Sequence, residues 1–173
     1  MAIKDRVSET FARIQNAAGR SGRNPSEVRL VAVTKTVPPA SVQAAIQAGV
    51  NCFGENYVQE ALAKIEALGD RGISWHFIGR LQTNKAKYAV GRFDLIHSVD
   101  SVKLAREIDK QAAKAGSKQE ILIQVNISGQ DTKAGVSEDA LMDLIKTVAE
   151  FEGVAVKGLM TMPPYFNAPE RVR

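Results

Sequence analysis

The stretch Leu30-Val31-Ala32-Val33-Thr34-Lys35 is a compact apolar run that ends abruptly in a lysine. Such a run is typical of a strand buried on both faces of a parallel sheet. The residues before it, from Ile3 to Ala18, place apolar side chains at helical spacing. After it, Ser41 is a candidate N-cap for a helix over 42–48, which Gly49 closes. The sequence therefore opens with a helix, a buried strand and a second helix.

The same strand–helix unit recurs along the chain. Further short apolar runs, each a candidate strand, begin near Cys52, Trp75, Leu95, Ile121 and Val156. Between them lie four helical patterns, over Val58–Leu68, Thr83–Val90, Val102–Ala115 and Glu138–Phe151. Strands that alternate with helices predict an α/β fold with a parallel sheet and right-handed crossovers.

Two architectures produce this alternation, an open doubly wound sheet and a closed (β/α)8 TIM-like barrel. The doubly wound fold usually has a glycine-rich turn after its first strand, and residues 34–38 contain no glycine. Polar side chains follow most of the strands, which is typical of a barrel, where they line one face. These positions are Lys35, Glu55-Asn56, Arg80, Asp100, Asn126 and Thr161. We expect one barrel domain over residues 1–173, with about six of the eight units present and the C-terminal ones beyond Arg173.

Composition and charge exclude several classes of protein. No apolar run reaches the roughly 18 residues of a membrane-spanning helix, and the first twenty residues do not resemble a signal peptide. The single cysteine, Cys52, rules out an intrachain disulfide and a multi-cysteine zinc site. Neither His76 nor His97 has a partner at metal-ligand spacing, so we expect no metal site. The net charge of +4 is spread along the chain without a basic and aromatic stripe. We therefore expect a cytoplasmic protein that binds neither nucleic acid nor membrane.

Lys35 is the most informative candidate site residue. Strand alternation places it on the same face as Val31 and Val33, pointing into the mouth of the barrel. A buried lysine has a lowered pKa, and a neutral amine is the form that makes a Schiff base with an aldehyde. The alternative is a solvated lysine at the end of a strand, and periodicity alone leaves both interpretations open.

Asn56 is the second candidate, in the segment Phe53-Gly54-Glu55-Asn56-Tyr57. Its amide offers both a donor and an acceptor at the end of a predicted strand. It is equally suited to be the N-cap of the helix that follows. Binding and capping are both compatible with the sequence.

Five segments resemble one known family, and they occur in the family's order and spacing. They are LVAVTKTVP (30–38), FGENYVQE (53–60), WHFIGRLQTNK (75–85), QVNI (124–127) with KAG (133–135), and GLMTM (158–162). Together they closely resemble the pyridoxal-phosphate homeostasis proteins, single-domain relatives of the alanine racemase barrel. The segments span nearly the whole chain.

This resemblance implies a barrel in which Lys35 holds pyridoxal 5′-phosphate (PLP) as a Schiff base and Asn56 lines the cofactor pocket. It implies a carrier or regulator of intracellular vitamin B6 without turnover. It also implies apo-PLP enzymes as acceptors and a monomeric or weakly dimeric state. The alternative is a PLP-dependent racemase or a related enzyme. Arg80 departs from the family, in which many relatives have proline. The family's phosphate-binding loop has no counterpart in these residues, so we expect it beyond Arg173.

Overall fold

The computed structural model describes residues 2–69, 71–128, 133–163 and 170. Six strands alternate with helices, as the sequence predicts. By its internal contacts the chain divides into two compact units, Met1–His76 and Phe77–Arg173. None of the described helices is long and apolar enough to cross a membrane.

The first unit contains three strands and three α-helices. In chain order they are α1 (Ile3–Arg20), β1 (Ala32–Val33), α2 (Pro39–Gln47), β2 (Cys52–Glu55), α3 (Val58–Leu68) and β3 (Ser74–Phe77), which reaches the boundary of the unit. The strands are neighbours in the order β1-β2-β3. Strand β1 pairs in parallel with β2, with Ala32 beside Phe53 and Val33 beside Gly54. The rings of Phe53 and Trp75 lie 5.5 Å apart in the core of this unit.

The second unit repeats the pattern. Its elements are α4 (Ala86–Ala89), β4 (Leu95–Val99), α5 (Val102–Lys114), β5 (Gln119–Val125), α6 (Glu138–Ala149) and β6 (Val154–Thr161). Strands β4, β5 and β6 are neighbours in that order and pair in parallel. The core contains Ile96, Ile108, Ile121 and Ile123, all fully buried.

Three local predictions were wrong. Helix α2 begins at Pro39, not after Ser41, because the ring of a proline at the first helical position already has helical φ. The helix predicted over residues 83–90 is a 3-10 turn over Thr83–Lys85 followed by the four-residue α4. Strand β1 is not buried on both faces: Val33 is 51% exposed, and the strand ends early because the chain turns at Lys35.

Candidate functional site

The candidate site lies in the first unit, where β1 and β2 end beside each other. Thr34 continues the pairing of the two strands, since its N–H donates to the carbonyl of Gly54 at 3.1 Å. Lys35 follows this last paired residue of the first strand, and Asn56 follows Glu55, the last residue of β2. The two site residues that the sequence predicts therefore both lie directly after the paired ends of these neighbouring strands.

Lys35 occupies a tight turn, not the end of a strand. The N–H of Val37 donates to the carbonyl of Thr34 at 3.0 Å, so Lys35 and Thr36 are the two central residues of this turn. The side chain of Lys35 is exposed, which agrees with the interpretation of a solvated lysine and not with that of a buried one. Lys35 therefore lies outside β1, which ends at Val33.

Thr36 has a backbone conformation that threonine rarely adopts. Its φ is +60°, and among the described residues it is the single non-glycine with a positive φ. For a β-branched residue this is a genuine outlier. The left-handed conformation costs roughly 1–2 kcal/mol for an L-residue. Strain of this kind persists only where the surrounding structure holds the residue in place, and it clusters at functional sites.

A buried charged cluster, formed by Glu55, Glu60 and Lys64, holds this turn. The ammonium of Lys64 donates to Glu55 Oε1 at 2.8 Å, to Glu60 Oε1 at 2.7 Å and to the carbonyl oxygen of Thr34. These three acceptors match the three N–H donors of an ammonium. The side chain of Lys64 is 5% exposed and that of Glu55 is fully buried. Lys64 is therefore a fully paired structural cation.

The carboxylates of the cluster reach both sides of Lys35. Glu55 Oε1 also accepts the hydroxyl of Thr34 at 2.6 Å. Glu60 Oε1 accepts the backbone N–H of Thr36 at 2.6 Å. The residues immediately before and after Lys35 are thus both bonded to the cluster, while the Lys35 side chain is left exposed.

The ion pairs change the acidity of two members of the cluster. Burial alone would lower the pKa of Lys64, but its hydrogen bonds to Glu55 and Glu60 outweigh burial and raise that pKa above the ordinary value. The hydrogen bond from Lys64, helped by the N–H of Thr36, lowers the pKa of Glu60. Both shifts favour the charged forms of Lys64 and Glu60.

Asn56 is not the helix cap that one interpretation predicted. The N-cap of α3 is Tyr57, and no side chain caps that end. The Oδ1 atom of Asn56 is buried and has no hydrogen-bond partner among the described residues. Buried polar atoms are rarely left unpaired, so this acceptor suits a ligand group that donates a hydrogen bond.

The other predicted positions are distributed over both units. His76 is buried and contacts Ser74 Oγ at 3.2 Å and Cys52 Sγ at 3.5 Å, so it is a histidine of the core. In the second unit, Arg80, Thr161 and Lys133 are exposed, while Asp100 and Asn126 are half-buried. In the described parts of the chain, no three His, Cys, Asp or Glu side chains gather as a metal site would require.

The alanine racemase N-terminal domain model matches residues 5–172. The chain is 47% identical over 169 residues to the pyridoxal phosphate homeostasis protein of Aquifex aeolicus, covering 98% of this chain and 74% of that protein. The chain belongs to the pyridoxal phosphate homeostasis family. This membership confirms the resemblance seen in the sequence.

Two solved structures of this family's fold are similar to the chain. A protein of unknown function from Bifidobacterium adolescentis superposes with a TM-score of 0.90 at 34% identity, covering 97% of this chain and 72% of that one. PipY from Synechococcus elongatus, solved with PLP bound, superposes with a TM-score of 0.78 at 37% identity, covering 91% and 74%. The fold class is therefore the alanine racemase-type (β/α)8 barrel, and the described residues contain six of its strands.

Proposed function

We propose that this chain binds PLP in intracellular vitamin B6 homeostasis and holds it as a Schiff base on Lys35. The observation that carries the proposal is the placement of an exposed Lys35 and a buried Asn56 directly after the ends of the paired strands β1 and β2, with no hydrogen-bond partner for Asn56 Oδ1 among the described residues. Family membership and the PLP bound to PipY support the identity of the ligand.

The residues of the site suit this chemistry. When bound, PLP supplies an aldehyde that condenses with an amine. Lys35 would hold the cofactor through a C=N bond to its aldehyde carbon, with the aldehyde oxygen leaving as water together with two protons of the amine. Lys64 is poorly suited to this role, because all three of its donors are engaged and its pKa is raised.

We further propose a carrier or regulator in preference to an enzyme. A racemase needs a second acid/base group on the opposite face of the cofactor. In the described part of the first unit, Glu60 and Lys64 form an ion pair beside the turn, and His76 is buried and hydrogen-bonded to Ser74. Neither arrangement offers a free base close to Lys35. Apo-PLP enzymes as acceptors, a cytoplasmic location and a monomeric or weakly dimeric state remain predictions.

Reductive trapping tests the site. Borohydride treatment of the PLP-loaded protein, followed by peptide mapping, should place the label on Lys35, and Lys35→Ala should abolish it. Lys133→Ala, which changes another exposed lysine, is the matched control and should keep the label. A label found chiefly on Lys85 or Lys133 would refute the assignment.

Two measurements separate a carrier from an enzyme. A carrier should transfer PLP stoichiometrically to an apo-aminotransferase. It should also exchange the α-proton of L-alanine in heavy water no faster than free PLP does. Multiple-turnover exchange or racemisation that disappears in Lys35→Ala would favour the racemase alternative.

A further inference from the structure

The strained turn at Lys35 needs an external support, and the charged cluster is placed to supply it. Thr36 keeps a positive φ although no glycine is present to tolerate it. The backbone N–H of this residue is bonded to Glu60, and the carbonyl of Thr34, which closes the turn, is bonded to Lys64. The first residue of the turn and its strained central residue Thr36 are therefore both bonded to charged side chains from α3.

We propose that Glu60 and Lys64, anchored by the buried Glu55, are positioning residues that hold the turn closed and thereby aim the Lys35 amine at PLP. This inference rests on the proposed function. Glu55 belongs to β2, whereas Glu60 and Lys64 are one helical turn apart on α3. The cluster thus ties the turn to two elements of the first unit.

Glu60 is the position at which the proposal can be tested without unfolding the protein. Its side chain is 28% exposed, whereas those of Glu55 and Lys64 are almost completely buried. Glu60→Ala removes the acceptor of the Thr36 N–H and leaves the Lys64–Glu55 pair intact. Glu60→Gln keeps a neutral acceptor at the same place. Glu27→Ala is the matched control, because Glu27 forms an exposed ion pair with Arg23 in the same unit, also four residues apart.

The first measurement needs no cofactor. Hydrogen exchange of the Thr36 amide, followed by NMR in the ligand-free protein, should accelerate roughly 10- to 100-fold in Glu60→Ala, as expected for loss of a bond to a charged acceptor. Glu60→Gln should restore most of the protection, and Glu27→Ala should leave it unchanged. Equal exchange in Glu60→Ala and Glu27→Ala would overturn the inference.

The second measurement connects the turn to Lys35. The rate of borohydride-trappable PLP attachment at Lys35 should fall by roughly tenfold or more in Glu60→Ala, because small displacements of a reacting group are costly. Adding Thr36→Gly should recover part of the rate, since glycine adopts a positive φ without support. Faster exchange at Thr36 with unchanged attachment at Lys35 would show that the cluster is merely structural.

The two proposals fail in different ways. If the wild-type protein itself is not labelled at Lys35, the proposed function is wrong and the inference falls with it. If the wild type is labelled at Lys35 and Glu60→Ala is labelled at the same rate, the proposed function stands and only the positioning role is refuted.

Discussion

Replacing Lys64 by methionine keeps a long apolar side chain but removes the ammonium at the centre of the charged cluster. The Lys64 side chain is 5% exposed and the carboxylate of Glu55 is fully buried. The substitution therefore leaves Glu55 as a buried carboxylate that still accepts a hydrogen bond from the hydroxyl of Thr34. Removing one member of a buried ion pair costs about 3–5 kcal/mol, because the other charge is left uncompensated. We expect the free energy of unfolding to fall by that amount.

Trp75 provides the assay. It is the only tryptophan of the chain, it is 5% exposed, and it lies in the same unit as Lys64. Its fluorescence during urea unfolding should report the loss of stability directly. Lys110→Met is the control: Lys110 lies 3.9 Å from Glu107 on α5, but its own side chain is 61% exposed. An exposed pair of this kind contributes about 0–1 kcal/mol.

The double variant Glu55→Leu/Lys64→Met identifies the source of the loss. Replacing both members of a buried pair by apolar residues is often neutral or stabilising. We therefore expect the double variant to regain most of the stability lost in Lys64→Met. The reasoning would be refuted if Lys64→Met lost no more stability than Lys110→Met, or if the double variant were no more stable than the single one.

Two further predictions concern pH and the second unit. The pKa of Lys64 is raised in the folded state, so its contribution to the free energy of unfolding is complete below the ordinary pKa of 10.5 and is lost as pH rises through the folded pKa. Urea unfolding should show this alkaline loss of stability in the wild type but not in Lys64→Met. The lowered pKa of Glu60 has the opposite effect. Its contribution to the free energy of unfolding is present above the ordinary pKa of 4.5 and disappears as pH falls through the folded pKa, and Glu60→Gln should lack this acid loss of stability. Gly135→Ala should lower the free energy of unfolding by about 1–3 kcal/mol in thermal unfolding, because the added Cβ would lie 2.6 Å from the backbone nitrogen of Asn126. Gly116→Ala, where nothing lies within 4 Å of the added carbon, should cost less.

The fold was predictable where apolar periodicity and a stop residue agreed. Helix α3 occupies Val58–Leu68 as predicted, because its apolar positions repeat at helical spacing and Gly69 ends it with a φ of +66°. The prediction was wrong at α2, where two suitable starts competed and the proline prevailed over Ser41. Strand β1 occupies only the last two residues of the apolar run 30–33, and the turn at residues 34–37 follows directly after it.

The candidate site was only partly predictable. Alternation and resemblance identified Lys35 and Asn56, but the charged cluster that holds their neighbours was missed. A signal for it was present in the sequence: Lys64 lies on the apolar face of α3, at helical spacing from Ala61 and Leu68, both of which are buried. A lysine on a buried face needs an acceptor. Glu60, four residues earlier on the same helix, was the nearest one available.

The positive φ of Thr36 could not be predicted from local sequence, because nothing in the Thr-Lys-Thr-Val segment favours a left-handed residue. Its support comes from Glu60, twenty-four positions later in the chain, and its partner Thr34 is fixed by Glu55 and Lys64. Local preference and tertiary contact therefore disagree at this turn, and the contact prevails. Natural sequences keep such disagreements mainly at functional sites. The strained residue that adjoins Lys35 thus supports, by an argument independent of family resemblance, our proposal that Lys35 binds the cofactor.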